Sequence, residues 1–275
     1  MDSVAELAAA YDRQVGSRGF GARGDFLGRA GPPAERIGTV LRRFLPGQGG
    51  MVLADELGDL TGGQLDALIA EQCTYCTKYG LPLEWDHHEG LRADLPMRLE
   101  AAGFKPQDPV AVMVGDADDL AAAEGTRARL PGDIRLRPVT RRAEFEAVQE
   151  LMRTTRPGTD WEWLPDALED WLTVPGDPCA VVVAESEEGE VVSAGWMRFH
   201  TASEFASLWG GATLPSRRGQ GLYRALVGHR AALAAERGFR YVQTEALPTT
   251  RPTLARLGLA TVRMLTPYYF TPDMA

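Results

Sequence analysis

The chain has 275 residues, of which 44% are hydrophobic, 8% aromatic and 24% charged, an ordinary globular composition. Its 29 Lys and Arg against 38 Asp and Glu leave a net charge of −9, which argues against nucleic-acid or anionic-membrane binding, because both need cationic surface. Three cysteines make no disulfide framework, the apolar runs are too short to cross a bilayer, and residues 1–16 lack the basic start of a secretory signal; we expect a cytoplasmic protein.

Residues 1–48 read as helix and loop. Ser3 to Gln14 is Ala-rich, and Arg36, Ile37, Val40, Leu41, Phe44 and Leu45 recur at helical spacing until Pro46-Gly47-Gln48-Gly49-Gly50 ends the run. MVLADEL (51–57) reads as a strand. Leu65, Leu68, Ile69, Gln72 and Cys76 then stripe a helix that stops before Gly80. PLEWDH follows as a strand, then a helix ending at Gly103-Phe104, then the strand PVAVMV (109–114). Residues 115–133 are acidic, small and turn-rich, which marks a linker.

A second unit opens with the alternating strand IRLRPV (134–139) and two helical stretches near 141–154 and 164–173. CAVVVAES (179–186) and VVSAGWMRFH (191–200) read as a hairpin around Glu188-Gly189. The strand FASLWGGATL (205–214) leads through PSRRGQG into a helix from about 220 to 237. RYVQTEAL (240–247), a short helix over 250–257 and the strand ATVRMLTPYYF complete the chain.

The halves repeat each other. At an offset of 158, ALIAEQCTYCTKYG (67–80) lies over ALVGHRAALAAERG (225–238) and PLEWDH over RYVQTE; at 155, RLEAAGF lies over LARLGL. We therefore divide the chain into a partial unit (1–115) lacking the first strands, a linker (116–133) and a complete unit (134–275).

The chemistry concentrates at Pro215-Ser216-Arg217-Arg218-Gly219-Gln220-Gly221. Gly219 and Gly221 let backbone approach a ligand closely, and the helix behind them offers unpaired N–H groups and a favourable dipole to an anion. Arg217, Arg218, Arg224 and Arg230 add positive charge in an acidic protein. The segment reads as a diphosphate site, although it is neither a P-loop nor a complete dinucleotide fingerprint.

This strand, basic-glycine turn and helix resemble the GNAT superfamily of acyl-CoA N-acyltransferases. Arg218, Gly221 and Tyr223 stand at the places of its Gln/Arg-x-x-Gly-x-Gly/Ala signature, with Tyr223 departing from the usual small residue. The element order over about 133–270 matches as well. The resemblance implies an α/β (α+β) fold with a central mixed sheet flanked by helices. It also implies backbone N–H groups of Arg218, Gly219, Gln220, Gly221, Leu222 and Tyr223 around the diphosphate of acetyl-CoA. Gly210-Gly211 would form a bulge, and the pantetheine arm would pair with backbone near Ala212 and Leu214. The reaction would be transfer of an acetyl group to a primary amine in a ternary complex. The tyrosine that many members use as acid is replaced here by Leu254; Tyr268 and Tyr269 are substitutes.

As general base the candidates are Glu245, His200, Glu204, or water alone. Asp160, Trp161 and Trp163 suit a cationic acceptor by charge and ring face, and equally suit packing. In the first half Leu60, Thr61 and Gly63 replace the signature, with Asp59 for Arg217, so that copy is expected to have lost the coenzyme. Cys73-x-x-Cys76 with His87 and His88 is not a standard zinc spacing, and no metal is expected. The chain is expected to act as a monomer or homodimer on a small or peptide amine. A non-catalytic acyl-CoA sensor and a nucleotide-binding module are the alternatives.

Overall fold

The computed structural model describes residues 2–15, 35–45, 49–54, 57–90, 92–124, 126, 130–173 and 179–272. In chain order the first half holds α1 (Val4–Gln14), β1 (Glu35–Ile37), β2 (Val40–Leu45), β3 (Gly49–Ala54), α2 (Gly62–Tyr79), β4 (Leu83–His88), α3 (Leu95–Ala101), β5 (Lys105–Pro106), β6 (Val110–Asp116) and α4 (Ala117–Ala122). The second holds β7 (Ile134–Val139), α5 (Arg142–Thr155), α6 (Leu164–Leu172), β8 (Cys179–Ser186), β9 (Val191–Phe199), β10 (Phe205–Thr213), α7 (Leu222–Glu236), β11 (Tyr241–Ala246), α8 (Arg251–Leu257) and β12 (Ala260–Phe270).

All strands join one mixed sheet in the order β1-β2-β3-β4-β12-β6-β11-β10-β9-β8-β7, with β5 beside β12. The halves interleave at its centre. β12, the last strand of the chain, lies between β4 and β6, and β6 of the first half pairs with β11 of the second. Neither half closes its own sheet. Burial of these strands on both faces favours that exchange, because Val112, Val114 and Leu265 pack under α1 while Ala111 and Met113 pack under α7 and α8.

Three expectations change. Residues 36–45 are not a helix. Ile37 and Val40 pair across Gly38-Thr39, Gly38 takes a left-handed φ of 56°, and β2 runs against β3. Apolar pairs spaced four apart also satisfy a hairpin, and the sheet edge captures them. That hairpin supplies early strands that the sequence suggested were missing. Pro46–Gln48 and residues 55–56 lie outside the described residues. Second, the expected linker contains α4, whose Asp116 side chain caps Asp119 N; Thr126 behind it packs so closely on α7 that a Cβ on Gly228 would meet it at 2.3 Å. Third, the repeat slips by one residue within the strands. Leu83 and Trp85 lie under α2, but Val242, not Tyr241, lies under α7. A one-residue slip exchanges faces, and it turns Glu84 and Asp86 onto the face that carries Glu245.

That face is covered by α1 over β12, β6 and β11, and by α5 and α6 over β8, β9 and β10. The other face is covered by α2, α7 and α8. Among the described residues, no helix is long and apolar enough to cross a membrane.

Candidate functional site

β10 and β11 run parallel for three couples, ending at Ser207 and Gln243. Beyond them the strands part. β10 stays with β9 but shifts register between Trp209 and Ala212, so Gly210-Gly211 form a bulge. β11 continues along β6 to Ala246. The result is a gap between the upper halves of two central strands.

The bulge needs both glycines. Gly210 has a φ of 64°, and a Cβ there would lie 1.8 Å from the Trp196 ring; a Cβ on Gly211 would lie 2.6 Å from the Tyr223 ring. Arg230 holds the bulge from beneath. It is 1% exposed, and its Nη1 donates to the carbonyls of Trp196 (2.8 Å) and Trp209 (3.1 Å) while Nε donates to Leu226 (3.1 Å). Arg230 is thus a clamp inside the protein and adds no charge at the glycine turn, contrary to expectation; on α7 it points at the sheet. Tyr223 points back onto Gly211, away from the turn, so its bulk leaves the helix start clear.

At the mouth of the gap, Pro215–Arg217 form a 3-10 turn and Gly219 and Gly221 take φ values of 78° and 85°. Gly221 is the N-cap of α7 and has no side chain to accept from the first-turn amides. Arg218 and Arg224 are exposed beside it, Arg218 Nε donating to the Thr213 carbonyl (3.3 Å). Arg217 is paired with Asp133 at 3.0 Å. Gln220 is exposed and Leu222 buried as the anchor of the helix. A bare amide cluster flanked by arginines and freed of Cβ atoms fits a diphosphate.

Two backbone groups expected to meet the pantetheine arm are already engaged. The Leu214 N–H donates to Val192 (2.9 Å) and the Ala212 carbonyl accepts from Ser193 Oγ (2.6 Å). Strand alternation puts Gly211 and Thr213 on the opposite edge, where their carbonyls accept from Arg156 Nη2 (3.2 Å) and Arg218 Nε.

The first half has closed its counterpart. Thr61 and Gln64 make a capping box over the start of α2, so the Gln64 and Thr61 amides are satisfied internally. Arg92 and Arg98 grip the loop carbonyls of Leu57, Leu60 and Gly62, and a Cβ on Gly62 would meet Arg98 at 2.3 Å. Cys76 is fully buried, and burial pushes the Cys73 and Cys76 thiols up to about 11, which suits packing.

The base candidates separate. Glu245 lies on the wall of the gap. Its side chain is exposed at the gap, and the protein crowded around its carboxyl, aided by the Glu84 charge, pushes its pKa up to about 7. His200 has no exposure; its Nε2 meets Ser207 Oγ at 2.7 Å, and burial followed by the Arg198 charge presses its pKa to about 2. Glu204 is tied to Gln14 of α1, at the closed end of β10. Tyr268 is 5% exposed in the core beneath α2 near Trp85, whereas Tyr269, one residue on, faces Glu84 and hydrogen-bonds to it. Trp161 is buried and stacks on Trp163 at 5.9 Å, Trp163 donates to the Asp160 carbonyl (3.0 Å), and Asp160 accepts from Glu162 N. The two tryptophans pack among α5 and α6, and Asp160 stays exposed.

Sequence reasoning missed Trp209, Glu84, Asp86 and Tyr11. Trp209 and Glu245 are the next same-face residues above Ser207 and Gln243, one on each parting strand. Only the strand exchange brings Glu84 and Asp86 onto the sheet face that carries Glu245.

Residues 145–258 match the acetyltransferase (GNAT) family model. No curated protein matches the sequence. Among solved structures, the chain is similar to a GCN5-related N-acetyltransferase from Kribbella flavida, with 16% identity, 100% of this chain and 97% of that one covered, and a TM-score of 0.65. A tandem GNAT protein from the clavulanic acid biosynthesis pathway gives 17% identity, 98% and 96% coverage and a TM-score of 0.65. A GCN5-related N-acetyltransferase from Sphaerobacter thermophilus gives 14%, 86% and 78%, and 0.61. At such identities the structures establish the fold: residues 145–258 match the GNAT family model within a chain that has the GNAT fold along its whole length.

Proposed function

We propose that the protein transfers an acyl group, most simply acetyl, from acyl-CoA to a primary amine, without a covalent enzyme intermediate. One observation carries the reading: β10 and β11 part above Ser207 and Gln243, with the uncapped start of α7 at the mouth of the gap and Glu245 on its wall. The amides of Gly219 to Tyr223 and the Arg218 side chain hold the diphosphate. The thioester supplies the activated acyl group. Glu245 takes the proton of the incoming ammonium, which suits a carboxyl titrating near neutrality. The freed amine nitrogen forms the amide bond as the carbon–sulfur bond breaks. The second nitrogen proton leaves with the sulfur as the coenzyme thiol, and Glu245 returns its proton to solvent. Gly210-Gly211 and Arg230 keep the gap open for these groups to meet.

The sensor reading draws on Leu254, which is 1% exposed in the core where many relatives of the fold present an acid. Thiol release from acetyl-CoA with and without an amine panel distinguishes the two. Amine-dependent release supports transfer. Saturable acetyl-CoA binding without any such release refutes it in favour of the sensor.

A further inference from the structure

On the transferase reading, an acceptor amine enters the gap where β10 and β11 part. Register and hydrogen bonds define the root of that gap. The last paired couple is Ser207 with Gln243, and one residue on, Thr244 Oγ1 of β11 still donates to the Leu208 carbonyl of β10 at 3.1 Å. Trp209 and Glu245, the next residue on each strand, therefore stand on either side of a narrow opening, on one face of the sheet. Both are exposed, Trp209 by 38%. The other five tryptophans of the chain are buried or half-buried.

The Trp209 ring is held in place. Its Nε1 donates to Ser207 Oγ at 2.6 Å, and the same oxygen meets His200 Nε2 at 2.7 Å. Ser207 and His200 have no exposure. On the β9 side, the space over Gly210 is taken by Trp196, the register partner of Trp209, whose ring a Cβ on Gly210 would meet at 1.8 Å. An exposed indole can give its N–H to water. Here the N–H turns inward to a hydroxyl shared with a buried imidazole, which fixes a side chain that gains little burial from the order. A ring locked from beneath at the edge of a reaction gap is a preorganised contact surface for a ligand that must be aligned with a reacting group.

We propose that Trp209 is the specificity-determining residue for the acceptor: its ring face receives the ammonium group of an aliphatic amine by cation–π contact, across the opening from the Glu245 carboxylate that takes the proton. Ser207 and His200 are positioning residues, which act through the indole N–H. An amine that arrives protonated is selected over a neutral molecule of the same shape, because the ring quadrupole and the carboxylate both favour its charge. The aromatic role that the sequence suggested for Trp161 and Trp163 passes to a residue of the gap itself.

The test uses the full chain carrying fluorotryptophan, in which Trp209→Phe identifies the Trp209 fluorine resonance by its loss. Tetramethylammonium, a cation with no N–H to acylate, is titrated beside tert-butanol, its uncharged counterpart. The cation is expected to shift the Trp209 resonance and to compete with the amine in acetyl-CoA thiol release, and tert-butanol to do neither. Trp209→Leu should raise the amine KM about fivefold and leave the acetyl-CoA Kd unchanged. Ser207→Ala should raise the amine KM about threefold in the parent and have no further effect in Trp209→Phe, whose ring has no N–H. An equal effect in both backgrounds overturns the positioning role. Should Ser207→Ala fail to fold, the Trp209 variants and the titration still decide. An amine KM unmoved by Trp209→Leu, or tert-butanol acting like tetramethylammonium, overturns the inference and leaves the transferase reading standing where thiol release depends on the amine. A Trp209 shift with tetramethylammonium but no thiol release from any amine supports the cation seat and overturns the transferase reading. Neither shift nor release overturns both.

Discussion

Replacing Arg230 by Met separates what stabilises the protein from what shapes its gap. The guanidinium is 1% exposed, and burial lowers its pKa to about 10. That lies well below the ordinary arginine value, so holding the charge inside costs about 3 kcal/mol at neutral pH. Met removes that cost and fills a similar volume. It also orphans the carbonyls of Trp196 and Trp209, at about 1–3 kcal/mol each. The opposing contributions largely cancel, so equilibrium urea unfolding is expected to lie between about 1 kcal/mol more stable and about 3 kcal/mol less stable than the parent. The gap does not escape so lightly. The Trp209 carbonyl immediately precedes the bulge, and without its tether the strand is free to close on β11. Calorimetry should record acetyl-CoA affinity weaker by about tenfold, or about 1.4 kcal/mol. Arg230→Ala, which adds a cavity, should unfold more readily by a further 2–5 kcal/mol or so. Acetyl-CoA affinity unchanged in a folded Arg230→Met would refute the clamp, and a loss of stability above about 5 kcal/mol would refute the charge-burial reasoning.

Arg218→Glu reverses an exposed charge beside the start of α7; a change of two charges against a diphosphate at a separation of about 7 Å in water is worth about 2 kcal/mol, hence roughly thirtyfold weaker acetyl-CoA binding at low salt. Added salt should narrow the difference, and unfolding should stay within about 0.5 kcal/mol of the parent. For the chemical step, Glu245 must be deprotonated to accept a proton, so kcat/KM should rise as pH climbs through about 7. Glu245→Gln is expected to remove that limb and to lower kcat/KM by about 10²–10⁴; an unchanged pH–rate profile would transfer the base role elsewhere. At the far edge of the sheet, Glu185 is 7% exposed and accepts from Arg137 (2.5 Å) and Arg135 (2.7 Å), which hold its pKa down at about 2. Its folded value lies below its unfolded one, so its contribution is full above pH about 4.5 and fades as pH falls toward 2, reaching at most about 3 kcal/mol. Glu185→Gln should flatten acid unfolding across that window; an unaltered slope would show that the arginine pair does not stabilise the fold.

Much of this protein is local and so is written in the chain. The spans Ile134–Val139 and Cys179–Ser186, the glycine turn before α7 and the doubled Gly210-Gly211 follow from alternation, turn chemistry and the need for left-handed backbone, all of which act over a few residues. The capping residues Thr61 and Gly221 even distinguish the closed copy from the open one, because a side-chain oxygen either satisfies first-turn amides or is absent. Tertiary structure decided the rest. Residues 36–45 carry a spacing compatible with helix or hairpin, and only the neighbouring strand β3 selects the hairpin. Arg230 looks like a surface arginine until the sheet folds over it. Which faces Tyr268, Tyr269, Glu84 and Asp86 take depends on strand register, where one residue of slip inverts everything. The meeting of Asp86 with Glu245, 159 positions apart in the chain, depends on β12 and β6 crossing between the halves, a choice made by long-range burial that no local pattern encodes.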